Sequence, residues 1–118
     1  MSLSATSFED AFKYKIVQET SCTNSAIVNA ASVSGSIYAI QFVNSSSAAS
    51  FKFFDNDVVS MGATVADMVF RVPASATTVI EIPDGLPFTS LSFAVTANPN
   101  PADNTAPLAG VTVRILVS

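Results

Sequence analysis

The chain has 118 residues, of which 49% are hydrophobic and only 12% are charged, and its formal net charge is −4. This length suits one domain with one core. Nine acidic residues against five basic ones argue against nucleic acid as a partner, because phosphate binding needs clustered Lys and Arg. The sequence has no apolar run near the ~20 residues of a membrane span, so it predicts no membrane partner either.

The first twelve residues show no periodic pattern, and they are predicted to form an N-terminal arm (1–12) ahead of a β-domain (13–118). The arm lacks the basic and apolar regions of a secretory signal. Phe8 and Phe12 are its candidate apolar anchors for a partner. Disorder is the alternative for this segment.

Period-two alternation of side chains, typical of β-strands, dominates the rest of the chain. Turn residues such as Gly, Pro, Asn and Asp separate the alternating segments. About eight antiparallel strands without a helical stripe predict an all-β sandwich or barrel. The predicted strands are YKIVQE (14–19), SAIVNAASV (25–33), IYAIQFV (37–43), FKFFD (51–55), DMVFRV (67–72), TTVIEI (77–82), LSFAVT (91–96) and VTVRILV (111–117).

Two of these segments predict a position in the fold. The 37–43 segment is apolar on both faces, and we expect it in the centre of a sheet, with Ile37 and Ala39 opposite Ile40 and Phe42. The last segment has the clearest contrast between its faces. Thr112 and Arg114 are expected to face outward, and the core side is expected to consist of Val111, Val113, Ile115 and Val117.

The inventory of reactive side chains argues against an enzyme. The chain has no histidine, which removes the commonest general base and the commonest transition-metal ligand. Its one cysteine, Cys22, cannot form a disulfide within the chain and is interpreted as a structural thiol. We therefore predict no catalytic residue and no cofactor.

The carboxylates do not predict a metal site. Asp55 and Asp57 resemble the start of a calcium loop, but the glycine and distal glutamate of such a loop are missing. A turn explains them better, since Asx side chains bond their own backbone. Asp84 precedes Gly85 in a Pro-Asp-Gly turn, and Asp103 stands alone in its segment.

A long polar loop, TANPNPADNTAP (96–107), precedes the last predicted strand. Each of its three prolines fixes a φ angle, which lowers the entropy lost when the loop is held against a partner. The sequence predicts a semi-rigid connector at one end of the domain and a contact surface. The candidate contact residues are Asn98, Pro99, Asn100, Pro101, Asp103 and Asn104.

A hairpin pattern, IYAIQFVNSSSAASFKFFDN, is followed by an ordered set of turn and strand motifs. The residues of these motifs are Pro73, Pro83, Gly85, Leu86, Phe88, Leu91, Ser92, Asp103, Asn104, Thr105, Ala106 and 111–113. With this order of motifs, residues 36–118 resemble small structural proteins of tailed bacteriophages, in particular capsid decoration (cement) proteins. This chain departs from the family in its loop, where NPNPADNTAP replaces a run of Asp and Thr and weakens the idea of a bound cation.

The resemblance implies a jelly-roll-like β-sandwich that forms a homotrimer on the capsid surface of a virion and is made in the host cytoplasm. The implied partner is the major capsid protein, and the implied function is to bind between its subunits and stabilise the head. The alternative is a head-fibre or tail-fibre module that binds a host receptor or glycan. That alternative predicts exposed aromatic residues in loops, whereas these loops are rich in Ser, Ala, Asn and Pro.

Overall fold

Two facing antiparallel sheets make up the part of the chain that the computed structural model describes, residues 14–118. One sheet has the strand order β1-β7-β2-β5, and the other has the order β4-β3-β6. The all-β prediction is confirmed for these residues, and the predicted arm with Phe8 and Phe12 lies outside them. The strands are β1 (Lys15–Cys22), β2 (Gly35–Asn44), β3 (Ala49–Asp55), β4 (Met68–Val72), β5 (Ala76–Phe88), β6 (Leu91–Thr96) and β7 (Val111–Val117).

Residues 14–118 contain seven strands rather than about eight, because the segment predicted at 25–33 is not a continuous strand. Ile27 forms one isolated antiparallel bridge with Phe93 of β6. The extended conformation then ends, since Asn29 and Ser32 have φ angles of 50° and 67°. The segment still covers the edge of β6, where the N–H of Ala30 donates to the carbonyl of Leu91 at 2.7 Å.

A bulge opposite Tyr38 changes the register between β2 and β5. Ile37 pairs with Leu86, whereas Ala39 pairs with Glu81, so residues 82–85 leave the ladder. Gly85 lies in this bulge with a φ of 80°, a conformation that glycine adopts without steric cost. The Pro-Asp-Gly segment therefore interrupts one long strand, whereas the sequence predicted a turn that ends it.

Tyr38 is also an extra residue of β2 relative to β7, because Ile37 pairs with Val117 and Ala39 with Leu116, and this reverses the facing of β2. Ile37, Ile40 and Phe42 are all fully buried, so the prediction that Ile37 opposes the other two is wrong. The strand does lie inside its sheet, between β7 and β5, as its two apolar faces predicted. A bulge inserts a residue and shifts every later side chain to the other face.

The core lies between the two sheets and is centred on phenylalanine rings. The ring of Phe51 lies 5.2 Å from that of Phe42, 5.6 Å from that of Phe93 and 6.3 Å from that of Phe70. The last strand has the predicted facing, with Arg114 exposed and four aliphatic side chains buried. Burial of these side chains away from water is the main stabilising term.

Loops cover the outer face of the three-stranded sheet. All residues of 49–54 and 91–96 are buried, although only one face of β3 and β6 points into the core. On the other face, Phe54 and Ala94 pack against Val59 and Met61 of the segment that joins β3 to β4. The segment that joins β6 to β7 covers the rest, and it positions the candidate site. No helix of residues 14–118 could cross a membrane.

Candidate functional site

The segment between β6 and β7, residues 97–110 and here named the proline loop, is hydrogen-bonded to itself and to two neighbouring loops. The N–H of Ala97 donates to the carbonyl of Thr105 at 2.9 Å and closes the loop on itself. The N–H of Ala66 donates to the carbonyl of Pro101 at 3.1 Å, and the Asn24 amide donates to the carbonyl of Asn104 at 2.8 Å. These bonds come from two other segments of the chain, so the loop has a defined conformation.

A buried lysine is the central anchor of the proline loop. Lys52 lies on β3 between Phe51 and Phe53, and its side chain is 0% exposed. Its ammonium donates to the main-chain carbonyl of Asn100 and, at 2.7 Å, to that of Asp103. Burial lowers the pKa of Lys52, and the negative charge of Asp103 works in the opposite direction. The lysine thus joins two points of the loop to the sheet.

Asp103 organises the turn inside the loop. Its carboxylate accepts the Thr105 hydroxyl at 2.8 Å, the Thr105 N–H at 3.0 Å and the Asn98 amide at 3.5 Å. Burial alone would raise the pKa of Asp103, but the hydrogen bonds from Thr105 and Asn98 and the charge of Lys52 outweigh it, so the pKa is lowered. The carboxylate is used to order the loop.

A cleft of about 440 Å³ opens between the proline loop and the β3–β4 edge of the sheet. Its walls are largely apolar, and Arg71 is its one charged lining residue. The Arg71 side chain is exposed, so its guanidinium is accessible to a partner carboxylate. The cleft can therefore accept apolar side chains that have an acidic neighbour. It is lined by Ala48, Ala49, Ser50, Val69, Arg71, Ala97, Pro99 and Pro101.

The six contact residues predicted between 98 and 104 all lie in the proline loop, and they have different structural roles. Pro99 and Pro101 line the cleft, whereas Asn100 and Asp103 give their carbonyls to Lys52. Sequence reasoning missed Lys52 and Arg71. A lysine inside the apolar run FKFF is the one local signal that could have indicated a buried, paired ammonium.

The other reactive side chains have structural surroundings. Cys22 is buried, and burial together with the charge of Glu19 raises its pKa to about 12, so the reactive thiolate is scarce at neutral pH. Asp55 accepts the N–H groups of Thr89 and Ser90 at 2.8 and 3.0 Å, which holds the turn between β5 and β6. Within residues 14–118, no group of three or more His, Cys, Asp or Glu side chains could hold a metal ion.

Replacing Asp103 by Asn is expected to reduce the decrease in the free energy of unfolding that occurs as the pH falls into the acid range. Because the folded-state pKa of Asp103 is below its ordinary 3.8, the carboxylate contributes stability that is complete above that value. This contribution is lost as the pH falls through the lowered folded-state pKa. Urea unfolding from about pH 6 to about pH 2 measures the effect.

The control for this prediction is Thr105→Val, which keeps the carboxylate and removes the hydroxyl bond of 2.8 Å. We expect its acid-induced loss of stability to lie between those of the wild type and Asp103→Asn. If Asp103→Asn lost as much stability in acid as the wild type does, the folded loop would not be what lowers this pKa.

Comparison with known proteins gives no relative from which a function could be transferred. The chain matches no protein-family model, no curated protein and no solved structure.

Proposed function

We propose that the protein is a non-enzymatic structural component of a tailed-phage virion, a cement protein that binds between major capsid subunits and stabilises the head. The observation that carries this proposal is the pre-ordered proline loop. A loop already fixed by Lys52 loses little entropy when it docks, so its exposed Asn98 and Asn104 can contact a rigid partner at low cost. The resemblance of residues 36–118 to phage decoration proteins supplies the class of partner.

The strand order supports the jelly-roll part of the proposal. If the bridged segment around Ile27 is counted with the strands, it lies beside β6 and completes a second four-stranded sheet. Each strand then lies in the opposite sheet from the one before it, except β4, which pairs with β3 in the same sheet. This order corresponds to two Greek keys, the jelly-roll arrangement found in viral capsid and lectin domains. A fold of this kind hosts many functions, so the support is by analogy.

The surface composition supports an assembled state. The outer face of the four-stranded sheet exposes Ile16, Val43 and Val79, with exposed fractions of 58%, 36% and 53%. Among these side chains lie the charged residues Glu81 and Arg114, and Arg114 donates to Gln18 at 2.6 Å and to Gln41 at 2.8 Å. A sheet face with so few charges is typical of a surface that a partner covers.

A cement protein would act by mass action. A ligand that binds assembled subunits but not dissociated ones shifts the equilibrium towards the assembled shell. A trimer would match local three-fold positions of a capsid and would present the proline loop three times, so that weak contacts add by avidity.

The test is binding of the full chain to purified mature heads that lack it. We expect saturable, stoichiometric binding and a rise in the melting temperature of the heads. Asn98→Arg, at the exposed surface of the proline loop, should weaken binding by about tenfold or more. Ser34→Arg, an exposed site in the connection between β1 and β2, is the matched control and should bind normally.

The opposite result would be equally clear. If the chain bound host cells or glycans and left the heads unaffected, the cement function would be wrong and the fibre module would replace it. If Asn98→Arg and Ser34→Arg bound heads equally well, the proline loop would not be the docking surface.

A further inference from the structure

The cleft beside the proline loop has a chemical character that limits what can fill it. Val69, Pro99 and Pro101 give it apolar walls, and three alanines keep it open. Arg71 is exposed and is its one charged lining residue. Proline rings and aliphatic side chains favour an aromatic or aliphatic occupant, and the guanidinium favours a carboxylate next to it.

One segment of this chain has that combination of side chains. All phenylalanines of residues 14–118 are buried or half-buried and belong to the packed interior: Phe42, Phe51, Phe53, Phe54, Phe70, Phe88 and Phe93. The two others are Phe8 and Phe12, and the sequence between them is Glu9-Asp10-Ala11. The segment 8–12 thus contains two aromatic residues and two acidic ones, which are the side-chain types that a cleft with apolar walls and one cation favours.

The start of β1 lies at the opposite end of the domain from the cleft. Lys15 pairs with Val117, which in turn pairs with Ile37 at the start of β2, whereas the cleft residues Ala48 and Ala49 follow the end of β2 at Asn44. The length of β2 between Ile37 and Asn44 is about 20 Å, and the two sheets are about 10 Å apart. The cleft is therefore more than about 20 Å from Tyr14, with the core between them.

The segment cannot reach the cleft of its own copy. Phe12 is two residues before Tyr14 and extends at most about 7 Å from it, and Phe8, six residues before it, extends at most about 20 Å. A path around the sandwich is longer than the direct distance. A single copy therefore cannot place both rings in its own cleft.

We propose that residues 8–12 of one copy bind in the cleft of a second copy, with Phe8 and Phe12 on the apolar walls and Glu9 or Asp10 paired with Arg71. The cleft is incomplete without that second copy. This inference concerns self-association and does not rest on the proposed capsid function.

The size of the contact predicts its strength. Two phenylalanines bury roughly 300–500 Å² of their own surface, which is below the ~800 Å² per partner of a standard stable interface. We therefore expect self-association at micromolar concentration. Arm and cleft are different surfaces, so each contact is head-to-tail, and such contacts close into a ring when the rotation between copies permits. A ring of three copies would give the proposed trimer.

The first test is the mass of the full chain in solution, by sedimentation and native mass spectrometry at micromolar concentration. We expect the wild type to assemble and Phe8→Ala/Phe12→Ala to be monomeric. The control is Leu3→Ala, which changes an apolar residue of the N-terminal arm (1–12) that lies outside 8–12, and it should assemble as the wild type does. A monomeric wild type, or a Phe8→Ala/Phe12→Ala variant that assembles normally, would overturn the proposal.

A charge exchange tests the pairing with Arg71. Arg71→Glu and Glu9→Lys/Asp10→Lys should each weaken self-association by about a hundredfold, because like charges then meet. The combined variant, Glu9→Lys/Asp10→Lys/Arg71→Glu, should regain most of the lost affinity. Arg71 is exposed, so circular dichroism should show an unchanged fold in each case. If the combined variant associated no better than the single ones, the segment would not bind at this cleft. Neither readout involves heads, so failure here is distinguishable from failure of the proposed function.

Discussion

Replacing Phe51 by alanine is expected to lower the free energy of unfolding by about 3–5 kcal/mol. Phe51 is fully buried, and its ring lies within 6.3 Å of three other phenylalanine rings from both sheets. Removing it loses the transfer free energy of the ring and leaves a cavity where the two sheets meet. Since a small domain is stable by about 5–15 kcal/mol in total, this one change removes a large share.

Urea denaturation monitored by circular dichroism measures this effect. Val58→Ala is the matched control, because Val58 is 71% exposed and its truncation should change stability by less than about 0.5 kcal/mol. A loss below about 1.5 kcal/mol for Phe51→Ala would mean that the sheets can close over the missing ring and that Phe51 is not the centre of the core.

Replacing Lys52 by methionine is expected to lower the free energy of unfolding by about 3 kcal/mol and to release the proline loop from the sheet. Methionine keeps an unbranched apolar stem but has no ammonium for the carbonyls of Asn100 and Asp103. A hydrogen bond that involves a charged group contributes roughly 1.5–3 kcal/mol, and two such bonds are lost. Removal of the buried charge offsets part of this loss, since the burial that lowers the pKa of Lys52 also opposes its charged form.

Hydrogen exchange locates the effect within the chain. The amides of Ala97 and Asp103, which close the proline loop, should exchange faster in Lys52→Met, whereas those of the core strands should follow the global stability. Lys15→Met is the matched control, because Lys15 is exposed and its ammonium donates to one carbonyl, that of Ala31, at 2.5 Å. We expect it to cost less than about 1 kcal/mol. Unchanged stability and exchange in Lys52→Met would show that the loop is ordered by other contacts.

The two variants also bear on the proposed functions in different ways. Lys52→Met should weaken docking to heads and self-association more than its stability loss explains, because both surfaces use the fixed shape of the proline loop. Phe51→Ala acts on the stability of the whole domain. It should affect docking to heads and self-association only when the chain unfolds.

The strands with a regular pattern could be predicted from the sequence alone. The bounds predicted for β6 and β7, 91–96 and 111–117, are those of the structure. Strand periodicity is a local property, because adjacent side chains point to opposite faces whatever the neighbouring strands are. The Asx turns are local in the same way: the Asn44 side chain accepts the N–H of Ser46 at 3.1 Å, and that of Asn56 accepts the N–H of Val58 at 2.9 Å.

Three features were decided only by the tertiary structure: the bulge, the loss of the strand predicted at 25–33, and the candidate site. The run Ala26-Ile27-Val28 looks like a strand locally, but the left-handed Asn29 ends it beside β6. Lys52 binds main-chain carbonyls 48 and 51 residues further along the chain. Every residue has such a carbonyl, so the sequence does not indicate which ones will bind the ammonium. The proline loop was therefore predictable as a stiff connector from its own residues. The buried ammonium that fixes it and the cleft beside it arise only when distant segments pack together.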